Sequence, residues 1–347
     1  MSSRDGSACR TCPKPGWLVL STAIIVAAAL ASGSANEPAG LADRPLIGAI
    51  SHPAIGYYSR PTTDLLGEWN RRLADGTSQI VFDPVVGYLN STLDALHVRI
   101  DSQMLVMRIA VVSDVHGNLS ALEAILRDLQ RTSPDIVVSG GDLVSSGSSP
   151  AEVIDRVRGL GWPGVVGNTD EMVWRPELVE ATLTAPHFAR MKAAILTHII
   201  PATRAAIGEE RLAWLKTLPC GWSDHDLSVV HAGPSDPWQS PGVKASDEEL
   251  LRVYGCLGTT RVVYGHIHHP FVRLVGRLTV ANSGAASLSY DGDPRASYAM
   301  VTDDRIDIRR VDYDIDEEIG RLRSAHDPHA EWMAQTLRSG SFVPFPD

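Results

Sequence analysis

Five short polar islands, each directly after an apolar run, constrain this chain more than any other feature. They are Asp114-Val115-His116-Gly117-Asn118, Gly140-Gly141-Asp142, Gly167-Asn168-Thr169-Asp170, His231-Ala232-Gly233 and Gly265-His266-Ile267-His268-His269. The preceding runs are short and rich in Val and Ile, as strands are, so each island falls where a strand ends and the chain turns. Carboxylates, an amide and imidazoles repeatedly set at strand ends are the groups a two-metal hydrolytic centre needs. Seven side chains are candidate metal ligands: Asp114, His116, Asp142, Asn168, His231, His266 and His268.

The spacing supports that reading. Asp114 and His116 stand two apart, where extended backbone aims both side chains to one side, so both can reach one ion. Gly140 and Gly141 let the backbone turn sharply and approach closely, which allows the Asp142 carboxylate to bridge two cations. Asn168 offers a neutral carbonyl oxygen, and the later islands supply imidazoles. Mixed oxygen and nitrogen donors suit Mn, Fe, Zn or Ni rather than Ca or Mg. The expected cofactor is therefore a pair of divalent metal ions, with Mn first in line.

From residue 107 onward the pattern is regular. A strand over 108–112, a helix over 119–129 with Leu119, Leu122, Ile125, Leu126 and Leu129 on one face, and a strand over 135–138 form a βαβ unit. A helix over 151–160 and a short strand over 164–166 follow, then helical material from 189 to 218 that is expected to cover the site. Strands over 227–230 and 261–264 flank a helix that opens with a capping box, Ser246 followed by Glu249. Short strands over 271–275, 278–281, 297–302 and 306–311, divided by Gly or Asp turns, predict antiparallel pairing. The expected fold class is α/β, with two mixed β-sheets packed as a sandwich and flanked by helices. The domain spans 107–320, and 321–347 reads as a solvated, partly helical tail.

The first 106 residues have a different character. Arg4, Arg10 and Lys14 precede an uncharged stretch over 15–35 with an apolar heart at 17–31 and small residues after it. Residues 1–35 thus read as a signal peptide or, uncut, as a membrane anchor. Over 36–106, Pro45, Pro53, Pro61 and Pro84 divide short apolar pieces and no self-sufficient core is evident. Cys9 and Cys12 form a CxxC pair, but without a second pair at zinc spacing they read as incidental thiols. A net charge of −10 provides no basic field for polyanions, so duplex nucleic acid is not an expected partner. A small phosphoester substrate is compatible, and membrane contact is expected only through the N-terminal segment.

In order and spacing, the islands resemble the motif series of the calcineurin-like metallophosphoesterase superfamily: D-x-H, G-D, G-N-H-[DE], a lone H, and G-H-x-H. The resemblance spans 107–311 and is greatest to its small bacterial phosphodiesterase branch, to which Asn282-Ser283-Gly284 and the stretch 291–298 are also similar. It implies a first ion held by Asp114, His116, Asp142 and His268, and a second held by Asp142, Asn168, His231 and His266. Two cations about 3.5 to 4 Å apart would share a water, lower its pKa to about 7 and present hydroxide in line with phosphorus. Asp142, Asn168 and His266 are the residues expected to matter most for that step.

One departure stands out. Where much of the superfamily has a His that donates a proton to the leaving group, this chain has Thr169, which cannot act as an imidazolium does. Unless His269, His187 or His198 supplies the acid, phosphodiesters or pyrophosphate-type bonds are the expected substrates, and a protein phosphatase is disfavoured. Other readings stay open: a non-catalytic metal-binding scaffold on the same fold, a phosphomonoesterase, or a dinucleoside polyphosphate hydrolase. Asn118 is expected to cap the helix after it or touch substrate, Asp170 to orient its loop, and Arg295 to be a surface charge or a phosphate contact. Trp162, Trp174, Trp214 and Trp222 are expected to pack in the core or at its rim.

The N-terminal stretches 51–61, 87–97 and 102–106 resemble the opening of an unrelated family of exported bacterial proteins. That resemblance ends at Val106, and an initiator-like Met107 begins the regular pattern, which suggests a junction between them. The N-terminus points to export, whereas the resembling phosphodiesterases are typically cytoplasmic.

Overall fold

The computed structural model describes residues 107–346. The signal or anchor segment, the Cys9 and Cys12 pair and the stretch 36–106 lie outside the described residues.

The alternation of β1 (Ile109–Val112) organises the layers. Ile109 and Val111 point to one face, where they pack with Leu227, Val229, Val263 and Ala281. Ala110 and Val112 point to the other, onto Leu122, Ile125 and Leu129 of α1 (Leu119–Thr132). A strand with both faces apolar must be covered on both sides, and here one cover is a second sheet and the other a layer of helices.

The chain continues through β2 (Ile136–Ser139), α2 (Pro150–Gly159), the single turn α3 (Asn168–Glu171) and α4 (Glu177–Thr182). Next come α5 (Ala189–Ala194), a π-turn at Ile195–Ile199 and α6 (Ile200–Leu215). Then follow β3 (Gly221–Asp224), β4 (Leu227–Val230), α7 (Asp247–Tyr254), β5 (Arg261–Tyr264), β6 (Phe271–Val275) and β7 (Leu278–Asn282). The last elements are β8 (Ala296–Val301), β9 (Ile306–Val311), α8 (Ile315–Ser324) and α9 (Ala330–Ser339).

One sheet has the order β2-β1-β8-β9, and the other β3-β4-β5-β7-β6. Both are mixed. β1 runs parallel to β2 and antiparallel to β8, while β4, β5 and β7 run parallel to one another between the antiparallel edges β3 and β6. The expected sandwich of two mixed sheets with flanking helices is the observed architecture. A third cluster, with Val230, Val262, Tyr264 and Val280 against Leu250 and Tyr254 of α7, closes the outer face of the second sheet. One half of the expected capping box is in place at the start of α7, the Ser246 hydroxyl accepting from the Glu249 N–H at 3.2 Å.

Three local expectations change. The strand predicted over 164–166 shrinks to one parallel bridge between Ser139 and Gly164, because the Val166 N–H turns away to the Pro219 carbonyl. β3 is a strand the sequence does not advertise: Gly221-Trp222-Ser223-Asp224 is polar and half-exposed, and its pairing with β4 makes it extended. The C-terminal stretch expected to be solvated instead docks. Ala330, Met333, Ala334 and Leu337 of α9 pack on Leu288, Ile319 and Leu322, as their helical spacing permits.

The helical insertion packs on both sides. Ile207, Leu212 and Leu215 of α6 join the main helical core, and Ile195, Leu196 and Ile200 pack against Met172 and Val179, immediately beyond Asn168.

Candidate metal centre

All seven candidate ligands converge where strands of the two sheets end. β1 delivers Asp114 and His116, β2 delivers Asp142, β4 delivers His231, and β5 delivers His266 and His268. Asn168 opens the turn α3. Close approach depends on glycine at two places. A Cβ on Gly167 would collide with the Asp142 carboxylate and backbone N, and one on Gly265 with Ser113 Oγ and Asp114 Oδ2.

Backbone strain is concentrated here. Asp114, His116, Asp142, His266 and His268 all have positive φ, between 51° and 69°, a left-handed conformation that is uncommon for residues with side chains. Each such residue costs on the order of 1–3 kcal/mol and persists only where surrounding contacts over-determine it. Five of seven candidate ligands sharing that conformation marks a site kept for its geometry.

The side chains form two groups. In the first, His116 Nε2 and His268 Nε2 face each other at 3.2 Å, with Asp114 Oδ1 at 3.2 Å from His268 Nε2 and Asp142 Oδ2 at 3.7 Å from His116 Nε2. In the second, Asn168 Oδ1 lies 3.0 Å from His231 Nε2 and 2.8 Å from His266 Nδ1, and Asp142 Oδ1 is 3.3 Å from His231 Nε2. The two oxygens of Asp142 therefore face different groups. Ligand atoms of Asp114, His116 and His268 lie within 4.8 Å of one another, as do those of Asp114, Asp142 and His231.

This donor set fits cations. Two imidazole nitrogens aimed at each other at 3.2 Å beside carboxylates can share a cation, and mixed nitrogen and oxygen donors match transition-metal preference. The other ring nitrogens are spoken for: His231 Nδ1–H donates to the Gly140 carbonyl at 2.9 Å and His268 Nδ1–H to the Leu288 carbonyl at 2.7 Å. Such bonds fix the tautomer and leave Nε2 as the ligand atom. His116 Nδ1, by contrast, is buried without a partner.

Each group holds one imidazole of each protonation tendency. Burial holds His116 and His266 down at about 4, with neighbouring positive imidazoles contributing. Burial also works against charge on His231, but the Asp142 and Asp114 carboxylates outweigh it and lift His231 to about 9. His268 is raised in the same way, chiefly by Asp114. Burial would raise Asp114 and Asp142, yet the adjacent imidazoles hold both below the usual carboxylate range.

Other side chains singled out in the sequence fall outside the ligand set. Thr169 Oγ1 donates to the Val144 carbonyl at 3.0 Å, and its N–H donates to Asp142 Oδ1 at 2.8 Å. Asn118 caps α1, accepting from the Ala121 N–H at 2.9 Å. His269 Nδ1–H donates to the Ile267 carbonyl within its own loop, His187 lies against Phe188, and His198 lies edge-on to His329. Arg295 is engaged by Asp293 at 2.7 Å. Trp162, Trp174, Trp214 and Trp222 line the hydrophobic clusters.

Asp170 does more than orient its own loop. Its carboxylate accepts from the N–H groups of Asp142, Leu143 and Val144 at 2.9, 2.9 and 3.2 Å, and from Gly167 at 3.0 Å. One buried side chain thus locks the Asp142 loop to the Asn168 loop. Sequence reasoning missed a second support, the segment from Leu288 to Tyr290. Its Leu288 carbonyl holds His268 Nδ1, the Tyr290 N–H donates to the His268 carbonyl at 3.2 Å, and the Tyr290 ring stacks on the imidazole at 4.6 Å and 16°. No spacing rule links position 268 to position 290, and only the fold brings them together.

Two mixed sheets with acidic, amide and imidazole side chains gathered at their strand ends define a metallophosphoesterase fold. Residues 107–305 match the calcineurin-like phosphoesterase superfamily domain, and the chain belongs to that superfamily, whose fold binds a dinuclear divalent metal centre. It is 29% identical over 255 residues to an uncharacterized protein of Methanocaldococcus jannaschii, covering 67% of this chain and 98% of that one. The crystal structure of a metallophosphoesterase from Sphaerobacter thermophilus is 30% identical, covering 67% of this chain and 99% of its own, with a TM-score of 0.55. A symmetrical bis(5'-nucleosyl)-tetraphosphatase of Methylococcus capsulatus is 30% identical over 166 residues, covering 46% of this chain and 56% of that protein. Superfamily and neighbours together support a hydrolase of phosphoesters.

Proposed function

We propose that this chain is a metal-dependent phosphodiesterase that hydrolyses small or nucleotide-derived phosphoesters. The observation that carries the reading is the pair of donor groups sharing Asp142, next to a Thr169 hydroxyl committed to a backbone carbonyl. Asp114, His116 and His268 would hold one cation, and Asn168, His231 and His266 the other, with Asp142 between them; Mn, Fe, Zn and Ni all fit these mixed donors, and Mn is the metal we propose to load first. When bound, the cations supply charge neutralisation for the phosphoryl oxygens and a water of lowered pKa.

The protein's own part is positional. Asp170 keeps the two loops in register, and the Leu288 carbonyl and the Tyr290 ring hold the His268 imidazole in its tautomer and orientation. With its hydroxyl donating to Val144, Thr169 does not protonate a leaving group. Ester groups that leave without strong acid assistance are therefore favoured, which supports diesters over unactivated monoesters. Similarity to the Methylococcus capsulatus enzyme supports a second reading, in which the cleaved bond is of the pyrophosphate type in a dinucleoside polyphosphate.

The test is hydrolysis of an aryl phosphodiester, an aryl phosphomonoester and a dinucleoside tetraphosphate by Mn-loaded protein. The diester should turn over faster than the monoester, and Asp142→Asn should remove activity while leaving the circular dichroism spectrum intact. Absence of turnover on all three, with metal bound, would leave the non-catalytic scaffold as the better reading.

A further inference from the structure

The C-terminal stretch reaches the metal centre through aromatic rings. Tyr290, stacked on His268, meets Phe342 edge-on at 5.6 Å and 89°. Phe342 is 44% exposed, although the backbone on either side of it is tied down. Before it, the Gly340 carbonyl accepts from the Gly292 N–H at 2.8 Å. After it, the Val343 carbonyl accepts from Trp332 Nε1 at 2.9 Å. The chain around the ring is thus held on both sides while the ring stays open to solvent.

A single exposed apolar side chain is ordinary on a protein surface. What distinguishes Phe342 is its place two ring contacts from a candidate metal ligand, against a tyrosine that itself contacts that ligand. A phosphoester held at the centre carries an ester group on its phosphorus, and Phe342 is a solvent-open aromatic ring joined to the candidate ligand His268 by two ring contacts. We propose that Phe342, supported from below by Tyr290, is a specificity-determining residue that stacks the aromatic part of the substrate, a nucleobase or aryl group. The role rests on the phosphoesterase reading and narrows it to aromatic esters. Stacking is tolerant of which base is presented, because every base has a π-face.

The experiment compares adenosine 5'-monophosphate with glycerol phosphate, each titrated calorimetrically into Mn-loaded wild-type, Phe342→Ala and Phe342→Trp proteins. Base–aromatic stacking of ~1–3 kcal/mol at 1.4 kcal/mol per tenfold corresponds to an about 5- to 150-fold loss. Phe342→Ala should weaken adenosine monophosphate by that factor and glycerol phosphate by less than about twofold, and Phe342→Trp should retain nucleotide binding. Because Phe342 is exposed, both variants should fold, which a thermal melt checks. Equal weakening of both ligands, or of neither, overturns the stacking role while leaving the phosphoesterase reading in place. A wild-type protein that binds neither phosphate when metal-loaded overturns both.

Discussion

The two halves of the candidate centre use the same chemistry in different surroundings. Asp114, His116 and His268 are 0%, 5% and 4% exposed, and the His268 ring is braced by the Leu288 carbonyl and the Tyr290 ring. In the other half His231 is fully buried, but Asn168 and His266 are partly exposed, and a single amide oxygen serves both imidazoles. One half is enclosed and pre-organised, and the other opens toward solvent. Pre-organisation favours tight metal binding, whereas openness is what an incoming ester requires. On that difference the enclosed half, with Tyr290 and Phe342 beside it, would hold a cation firmly, and the open half would admit the phosphoryl group.

The strongest way to break that contrast is to remove one ligand from each half. Mn titration of the wild-type protein should be biphasic, with the tighter phase lost in His268→Ala and the weaker phase lost in Asn168→Ala. Both variants should lose turnover, on the order of 100- to 1000-fold, as when a pre-organised electrostatic group is deleted. Loss of the same phase in both variants would show that the halves do not differ as their burial suggests.

A smaller effect comes from protons in metal-stripped protein. His231 is lifted to about 9 because neighbouring carboxylates outweigh its burial, so its contribution to stability is complete below about 6.5 and is lost as pH rises through about 9. His116 and His266 are held at about 4 by burial, so their contribution is present above about 6.5 and lost as pH falls toward 4. Urea unfolding of chelator-treated protein should therefore give greatest stability near pH 6.5, with a decline on each side. His231→Gln should shrink the alkaline decline and leave the part carried by His268, which Asp114 also raises. A flat profile from pH 4 to 9 would contradict the pairing of one raised and one lowered imidazole in each half.

Much of this site was legible because its ligands obey local rules. Six follow an apolar strand, Asn168 follows an apolar run that makes only a single bridge, and the glycines before Asp142, Asn168 and His266 mark the close approaches that the fold then uses. The division into groups came from resemblance to a family rather than from spacing, since the facing of His116 and His268 depends on packing across 152 positions. Tyr290 and Phe342 were illegible for the same reason, their meaning lying entirely in tertiary contact. α9 is a different kind of miss. Its stripe of Ala330, Met333, Ala334 and Leu337 was readable as helical, but acidic and proline-bearing flanks made the whole stretch read as solvated. β3 carries no periodic apolar signal, and its pairing with β4 overrides its weak local preference.

The smallest predicted effect bears on which half protonates the departing ester, if either does. Thr169 sits beside Asn168 on the open side, where a leaving group would depart, yet its hydroxyl donates to Val144 at 3.0 Å. Thr169→Val keeps the branched shape and deletes only the hydroxyl. Turnover of an aryl phosphodiester should stay within about twofold, since the lost group takes no part in proton transfer, while stability falls by ~0.5–1.5 kcal/mol for the missing hydrogen bond. A large fall in kcat with a shifted pH–rate profile, at unchanged metal content, would instead place the hydroxyl in the reaction. It would also make the open half the source of the proton as well as the entry for substrate.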